Sequence, residues 1–280
     1  MLLDFVKMHG TGNDFVVMED LDSSVELSSE QVAAVCRRRF GVGADGLIQV
    51  RRDAQGRFYM HYYNADGSLA EMCGNGIRCL AKYVADRGMA PGERFVVGTL
   101  GGPRTVEVTR DSVGMVDTVT VDMGEPIFDP ALVPVDAHEA PVDSLLVEVE
   151  GAALEFFVLS MGNPHAVTFV EDVDSAPVAT VGPLVEEHGL FPNKTNVEFA
   201  AVDPATETIR LRVWERGVGE TLACGTGACA ATVAASMKCL VGRRASVELP
   251  GGTLAVEWAD DGHVWMTGPA REVFAGTIDV

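Results

Sequence analysis

One device occurs twice in the chain: Cys73-Gly74-Asn75-Gly76 and Cys224-Gly225-Thr226-Gly227, each a cysteine, then Gly-x-Gly, then a helix-forming stretch. After Cys73, the apolar residues Ile77, Leu80, Ala81 and Val84 recur at i, i+3, i+4 and i+7, one helix face, and Gly88 supplies a stop. After Cys224, nearly everything from Ala228 to Ala235 is small or apolar, which predicts a helix buried on all sides and ending near Gly242. Both thiols thus sit at helix N-termini, where the first amide N–H groups lack internal partners and face negative charge. The helix dipole contributes only about 0.3–1 kcal/mol, so on its own it lowers a thiol pKa by less than about one unit. The glycines add something the dipole cannot, because a loop without Cβ atoms lets its backbone approach a bound carboxylate closely.

The repetition extends along the chain. Gly12-Asn13 and Gly162-Asn163 lie 150 residues apart, as do Gly101-Gly102 and Gly251-Gly252, and Gly46 and Asn196; Cys73 and Cys224, like Asn64 and Glu215, differ by 151. An internal duplication of about half the chain follows, with two similar lobes whose cysteines meet in one cleft. The first lobe is read as residues 1–124 and the second as 125–267, with 268–280 packing back onto the first. Glu125 to Pro141, holding four of the thirteen prolines, reads as the linker.

Within each half the order is strand, polar loop, cysteine, helix. Short strands are predicted at Phe5 to His9, Phe15 to Met18 and Phe58 to Tyr63, and a helix from Ser28 to Arg39 opened by a Ser28/Gln31 capping box. In the second half, Ile209, Leu211 and Val213 alternate with Arg210 and Arg212 in a strand that leads through Trp214-Glu215-Arg216-Gly217 to Cys224. A helix is expected near Val181 to His188. The loop Gly41 to Gly46 is glycine-rich but lacks the Gly-Lys-Ser/Thr of a phosphate loop.

A formal charge of −20 and a pI near 4.5 argue against nucleic acid or an anionic membrane surface as partner. Met1 to Phe5 does not open a secretory leader, and no stretch reaches about 18 uninterrupted apolar residues, so a cytoplasmic protein is expected. The six cysteines are too few for a disulfide scaffold in 280 residues and show no C-x-x-C spacing, so no metal site is expected. Cys36, Cys79, Cys229 and Cys239 are read as buried, inert thiols on helices.

Two helix-terminal thiols facing one pocket suit inversion at carbon, where one group removes a proton from one face and another delivers a proton to the opposite face. Thiol pKa values near ~8.5 allow one to be a thiolate while the other stays protonated. A weakly acidic α-proton also demands preorganised donors for the charge that spreads onto the substrate carboxylate, each typically worth about 2.7–4 kcal/mol.

These motifs carry a resemblance. His9-Gly10-Thr11-Gly12-Asn13-Asp14-Phe15, Asn64-Ala65-Asp66-Gly67, Met72 to Cys79, Gly162-Asn163-Pro164-His165, Asn193-Lys194-Thr195-Asn196 and Trp214-Glu215-Arg216-Gly217 with Cys224-Gly225-Thr226-Gly227 make the chain similar, over essentially its whole length, to the diaminopimelate epimerases. Those are cofactor-independent isomerases of lysine and peptidoglycan precursor synthesis. The resemblance implies two pseudo-symmetric α/β lobes, each a curved, mainly antiparallel sheet around a central helix, with the active site in the cleft between them. It implies Cys73 and Cys224 as the acid–base pair and Gly74, Asn75, Gly225 and Thr226 as backbone donors to the reacting carboxylate. Asn13, Gln49, Asn64, Asn163, Asn196, Glu215 and Arg216 would hold the substrate, and His165 and Glu215 would tune the thiols. Arg216 suits a bidentate carboxylate and Glu215 an ammonium. Arg78 and Asp66 are read as structural. No cofactor or metal is implied, and a homodimer is left open. The signal for Gln49 is the faintest, because Phe199 stands 150 residues on.

Two other functions compete. Proline and hydroxyproline racemases resemble this architecture but carry His after the first Cys-Gly, where this chain has Asn75. A dithiol redox protein would have to cycle through a disulfide, whereas an epimerase works fully reduced.

Overall fold

The computed structural model describes all 280 residues and divides into two compact units, Met1–Asp122 with Thr267–Val280, and Met123–Met266. The first unit runs β1 (Leu2–Gly10), β2 (Asn13–Glu19), α1 (Ser29–Cys36), β3 (Gly46–Arg52), β4 (Phe58–Asn64), α2 (Gly74–Asp86), β5 (Arg94–Gly98), β6 (Arg104–Arg110) and β7 (Val116–Asp122). Neighbouring strands from β1 to β6 pair antiparallel, parallel, antiparallel, parallel and antiparallel in turn. Each parallel step needs a crossover, and α1 and α2 provide them.

The second unit repeats this plan. It runs β8 (Val142–Val149), β9 (Ala152–Ser160), β10 (Pro164–Phe169), α3 (Val178–Glu186), β11 (Asn196–Asp203), β12 (Thr208–Glu215), β13 (Gly219–Thr221), α4 (Gly225–Met237), β14 (Arg244–Leu249), β15 (Gly252–Trp258) and the start of β16 (Val264–Pro269), whose residues from Thr267 on belong to the first unit. From β9 through β10, β11, β12 and β14 to β15 the same alternation of antiparallel and parallel pairings appears. The C-terminal strand β17 (Arg271–Asp279) pairs antiparallel with β1, just as β8 pairs with β9, so the chain's end completes the first unit's sheet. The duplication legible in glycine and cysteine spacing is therefore a duplication of sheet topology.

Each sheet wraps a central helix. In α2, Ile77, Leu80, Ala81 and Val84 are fully buried, but so are Arg78 and, nearly, Lys82 on the face that periodicity alone would leave in water. Their charges are answered in place: the Lys82 ammonium reaches the Val116 carbonyl at 2.6 Å and Asp86 at 2.8 Å. α4 is buried on every side from Ala228 to Ala235, as its composition requires. The Ser28/Gln31 capping box opens α1, yet that helix stops at Cys36 rather than Arg39. The following loop doubles back, and the N–H groups of Gly43 and Ala44 take the carbonyls of Val35 and Cys36 that a further turn would have used. α2 closes with Gly88 in the left-handed region (φ 67°); the same place after α4 is held by Cys239 (φ 57°), so that helix ends well short of Gly242. Cys239 is exposed, against its reading as a buried thiol, while Cys36, Cys79 and Cys229 are buried.

The proline-rich stretch does not behave as a loose linker. Val133 and Val135 enter the second unit's apolar core beside Val147, Phe156, Val158, Val197 and Phe199. No helix is long and apolar enough to cross a membrane.

Candidate active site

Cys73 and Cys224 are the N-cap residues of α2 and α4, both with extended backbone, and each sulfur accepts the N–H of the third residue on, Gly76 or Gly227, at 3.4 Å. In an ordinary helix a serine or aspartate oxygen fills this role. The two glycines are needed for space: a Cβ on Gly76 would lie 3.0 Å from Ile48 Cδ1, and one on Gly227 would lie 2.9 Å from Glu198 Oε1.

Around Cys73, the Asn13 carboxamide oxygen stands 3.5 Å from the sulfur and accepts from Asn75 Nδ2 at 3.2 Å. The Asn13 amide nitrogen donates to Asp45 at 2.9 Å, so the carbonyl end faces the thiol. Behind them lies Arg78, with no exposed surface, donating to the carbonyls of Gly74 (3.2 Å) and Pro269 (3.3 Å), to Thr11 Oγ1 (3.3 Å) and to Asn75 Oδ1 (2.8 Å). Asn64 ends β4 and holds Ser68 Oγ at 3.0 Å. Gln49 is not gathered with them. It sits fully buried further along β3, where its carboxamide binds Asp20 (3.3 Å), the Val25 carbonyl (2.9 Å) and Arg51 (2.9 Å), a structural network.

The Cys224 half is acidic. Burial, then the neighbouring carboxyls of Glu215 and Glu198, push the Cys224 thiol well above its ordinary value, outweighing the hydrogen bonds from Thr226 and the Gly227 amide. The small helix-terminus contribution is outweighed here: desolvation of a thiol 5 % exposed beside two acids exceeds what the dipole supplies. Cys224 therefore rests as a thiol. Glu215, at the end of β12 where β4 has Asn64, is itself raised by burial, although Thr221 Oγ1 and the Cys224 thiol both bond to it and His165 pulls the other way.

His165 and Glu198, both without exposed surface, meet at 2.6 Å between Nδ1 and Oε1, and His165 Nε2 stands 3.1 Å from Asn163 Oδ1. Asn196 pairs with His165 across the parallel strands and spans the half-site, its amide donating to the Pro164 carbonyl (2.8 Å) and its oxygen accepting the Arg216 N–H (2.9 Å). The Arg216 guanidinium is exposed and touches the Asn193 carbonyl at 3.0 Å. Glu198 is the residue that sequence reading missed. The available signal was its place two residues beyond Asn196 on a strand, which puts both side chains on one face.

A family model for diaminopimelate epimerase matches residues 5–128 and 157–273. The chain is 50 % identical over 276 residues to a diaminopimelate epimerase of Moorella thermoacetica, covering 98 % of both chains. It is 45 % identical over 281 residues to one of Leptospira biflexa, covering all of both. Among solved structures, a Bacillus anthracis phenazine biosynthesis protein of the PhzF family superposes with a TM-score of 0.70 at 15 % identity, covering 100 % of both chains. A hydroxyproline epimerase from Agrobacterium vitis superposes with a TM-score of 0.69 at 14 % identity, covering 99 % of this chain and 92 % of its own; both share the fold. With two cysteine-capped helices in a duplicated fold and matches of this extent to curated relatives, the chain belongs to the diaminopimelate epimerase family.

Proposed function

We propose that this chain is an isomerase that interconverts LL- and meso-2,6-diaminopimelate, with Cys73 and Cys224 as its acid–base pair and no metal or organic cofactor. The observation that carries the reading is the pair of cysteine-capped helices, alike in the amide that reaches each sulfur and unlike in what lies behind it. Inversion requires a base on one face of the α-carbon and an acid on the other, the two roles that a pair of cysteines can fill. In one direction the Cys73 thiolate takes the α-hydrogen while the Cys224 thiol gives its own proton, leaving Cys73 as thiol and Cys224 as thiolate. The return reaction exchanges the roles. A Cys224 that rests protonated is ready for the first of these.

The carbanion is held by the helix N-termini. Amide groups at Gly74, Asn75, Gly225 and Thr226, in the first turns of α2 and α4, would receive the substrate carboxylate, the place where negative charge grows as the α-proton leaves. Asn13, Asn64, Asn163, Asn196, Glu215 and Arg216 fix the substrate, with Arg216 the group whose planar fork fits a carboxylate. Such an enzyme would serve lysine and peptidoglycan precursor synthesis in the cytoplasm.

The test is direct. Reduced, chelator-treated protein incubated with the LL isomer should yield the meso isomer by chiral chromatography, and Cys73→Ala or Cys224→Ala should abolish the conversion. In deuterated water, a single turnover should leave deuterium in the product and little in recovered substrate, because the delivering thiol has exchanged with solvent beforehand. Transfer of the original hydrogen into product, or near-normal turnover in either alanine variant, would remove the paired roles.

A further inference from the structure

Asn13 and Asn163 occupy matching loops 150 residues apart, but they are anchored by opposite ends. The Asn13 amide nitrogen is tied to Asp45 and its carbonyl faces the thiol. At Asn163 it is the carbonyl that is tied, to His165 Nε2 at 3.1 Å, and the half-buried amide nitrogen has no protein partner. Where the second unit has His165 and Glu198, the first has Phe15 and Ile48 at the same offset. The difference in polarity therefore coincides with a buried histidine–carboxyl pair found in one half only.

Three networks fit these distances. If Glu198 carries a proton, Oε1–H donates to His165 Nδ1, Nε2–H donates to Asn163 Oδ1, and the asparagine amide points outward. If Glu198 is ionised and His165 neutral, Glu198 accepts from Nδ1–H, Nε2 becomes the acceptor, and the carboxamide must turn its carbonyl outward. An ionised Glu198 facing an imidazolium would leave Nε2–H on Asn163, but it buries a full ion pair with no exposed surface and leaves the charged Oε2 without a partner. We propose that Glu198 is a positioning residue held as a neutral carboxylic acid, which through the His165 Nε2–H tautomer turns the amide N–H groups of Asn163 toward the substrate. The inference rests on the epimerase reading for its substrate, but not for its hydrogen-bond chain.

Three observations favour the protonated network. Glu198 has no exposed surface, and its second oxygen, Oε2, is buried without any hydrogen-bond partner, which a charged carboxylate tolerates far less than a neutral acid. Glu215 and Cys224 lie in the same buried region, and Cys224 becomes a thiolate when it gives up its proton, so an ionised Glu198 beside them would crowd like charges in low dielectric. Burial raises the Glu198 carboxyl, and this outweighs the pull of His165 and of the Ala166 N–H toward the anion. An outward N–H suits a carboxylate oxygen of the substrate; an outward carbonyl would repel it.

Nitrogen-15 NMR of histidine-labelled protein tests the tautomer without reference to activity. The His165 signals, identified by their loss in His165→Gln, should show Nε2 pyrrole-like and Nδ1 pyridine-like, in the wild type and in Glu198→Gln, whose amide can also donate to Nδ1. A protonated Nδ1 in the wild type overturns the proposal. Kinetics tests the consequence: Glu198→Met should raise KM for diaminopimelate about tenfold, the worth of one misdirected hydrogen bond, while Glu198→Gln stays within about threefold of wild type. An unchanged KM in a folded Glu198→Met also overturns it. If Glu198→Met fails to fold, the NMR result on the wild type and Glu198→Gln still decides. If wild-type protein leaves diaminopimelate unchanged, the epimerase reading fails and the tautomer result stands by itself.

Discussion

Replacing Gly227 by alanine inserts one methyl group between the Cys224 sulfur and a buried acid. The new Cβ would stand 2.9 Å from Glu198 Oε1 and 3.3 Å from both Cβ and Sγ of Cys224, where ordinary contact begins at 3.4 Å. The carboxyl oxygen must therefore retreat by about half an ångström. It cannot swing aside, because it is held at 2.6 Å by His165 and neither residue has exposed surface. Overpacking of this kind costs about 1–3 kcal/mol. Against it stands the better helix propensity of alanine, at most about 1 kcal/mol and less in a first turn. The steric effect wins, leaving a loss of about 1–2 kcal/mol and a thermal midpoint lowered by roughly 2–8 °C. Because the same methyl presses on Sγ, kcat should fall at least about tenfold, given that a 1 Å misplacement can cost about a hundredfold. Gly242→Ala is the control: its Cβ meets Glu207 Oε1 at 2.8 Å, nominally a closer contact, but Glu207 is exposed and can rotate away, giving up only a solvent-exposed hydrogen bond from the Gly242 N–H at 3.1 Å. That variant should stay within about 0.5 kcal/mol of the parent. Scanning calorimetry and initial rates on both variants check this. Equal destabilisation of the two, or a Gly227→Ala protein as stable and active as the parent, would refute the reasoning.

Alkylation with iodoacetamide, followed by peptide mass spectrometry, should modify exposed Cys239 and half-buried Cys73 before Cys224. Because the Cys224 pKa is raised, its labelling should stay slow at neutral pH and grow as pH rises; labelling of Cys224 first would contradict the acidic surroundings described for it. Cys239→Gly should raise the thermal midpoint, since a non-glycine residue in the left-handed region costs about 1–2 kcal/mol while the added unfolded-chain entropy takes back about 0.5–1 kcal/mol. Gly88→Ala, whose Cβ would meet nothing within 4 Å, should do the reverse through backbone conformation alone. Burial alone would raise the Asp14 carboxyl, but hydrogen bonds from Arg38 and Lys7 hold it at about 2, below its ordinary 3.8. A lowered acid stabilises the fold above its unfolded pKa and loses that contribution as pH falls through the folded one. Asp14→Asn should therefore flatten the stability decline between about pH 4 and pH 2 seen by acid titration of circular dichroism.

The order of elements was legible because its signals are local. A cysteine before Gly-x-Gly can cap a helix wherever it occurs, and glycine spacing records the duplication, so α2, α4 and the repeated strand order could be read from neighbours in the chain. The charge state of Cys224 could not. It depends on Glu198 and Glu215, brought beside it from β11 and β12, and on burial that exists only once the sheet closes over α4. The same holds for the face of α2 bearing Arg78 and Lys82: periodicity assigns it to water, and only the surrounding sheet supplies the carbonyls and carboxylates that make its burial tolerable. Gln49 and Glu198 show the limit from both sides. Gln49 was assigned by resemblance and lies among Asp20, Val25 and Arg51, while Glu198 resembled any strand residue until His165, 33 positions away in sequence, was placed against it. A sequence determines which residues can cap, turn or alternate; which acids share a buried space is decided by contacts between strands, where desolvation raises the pKa of ordinary carboxyls and thiols.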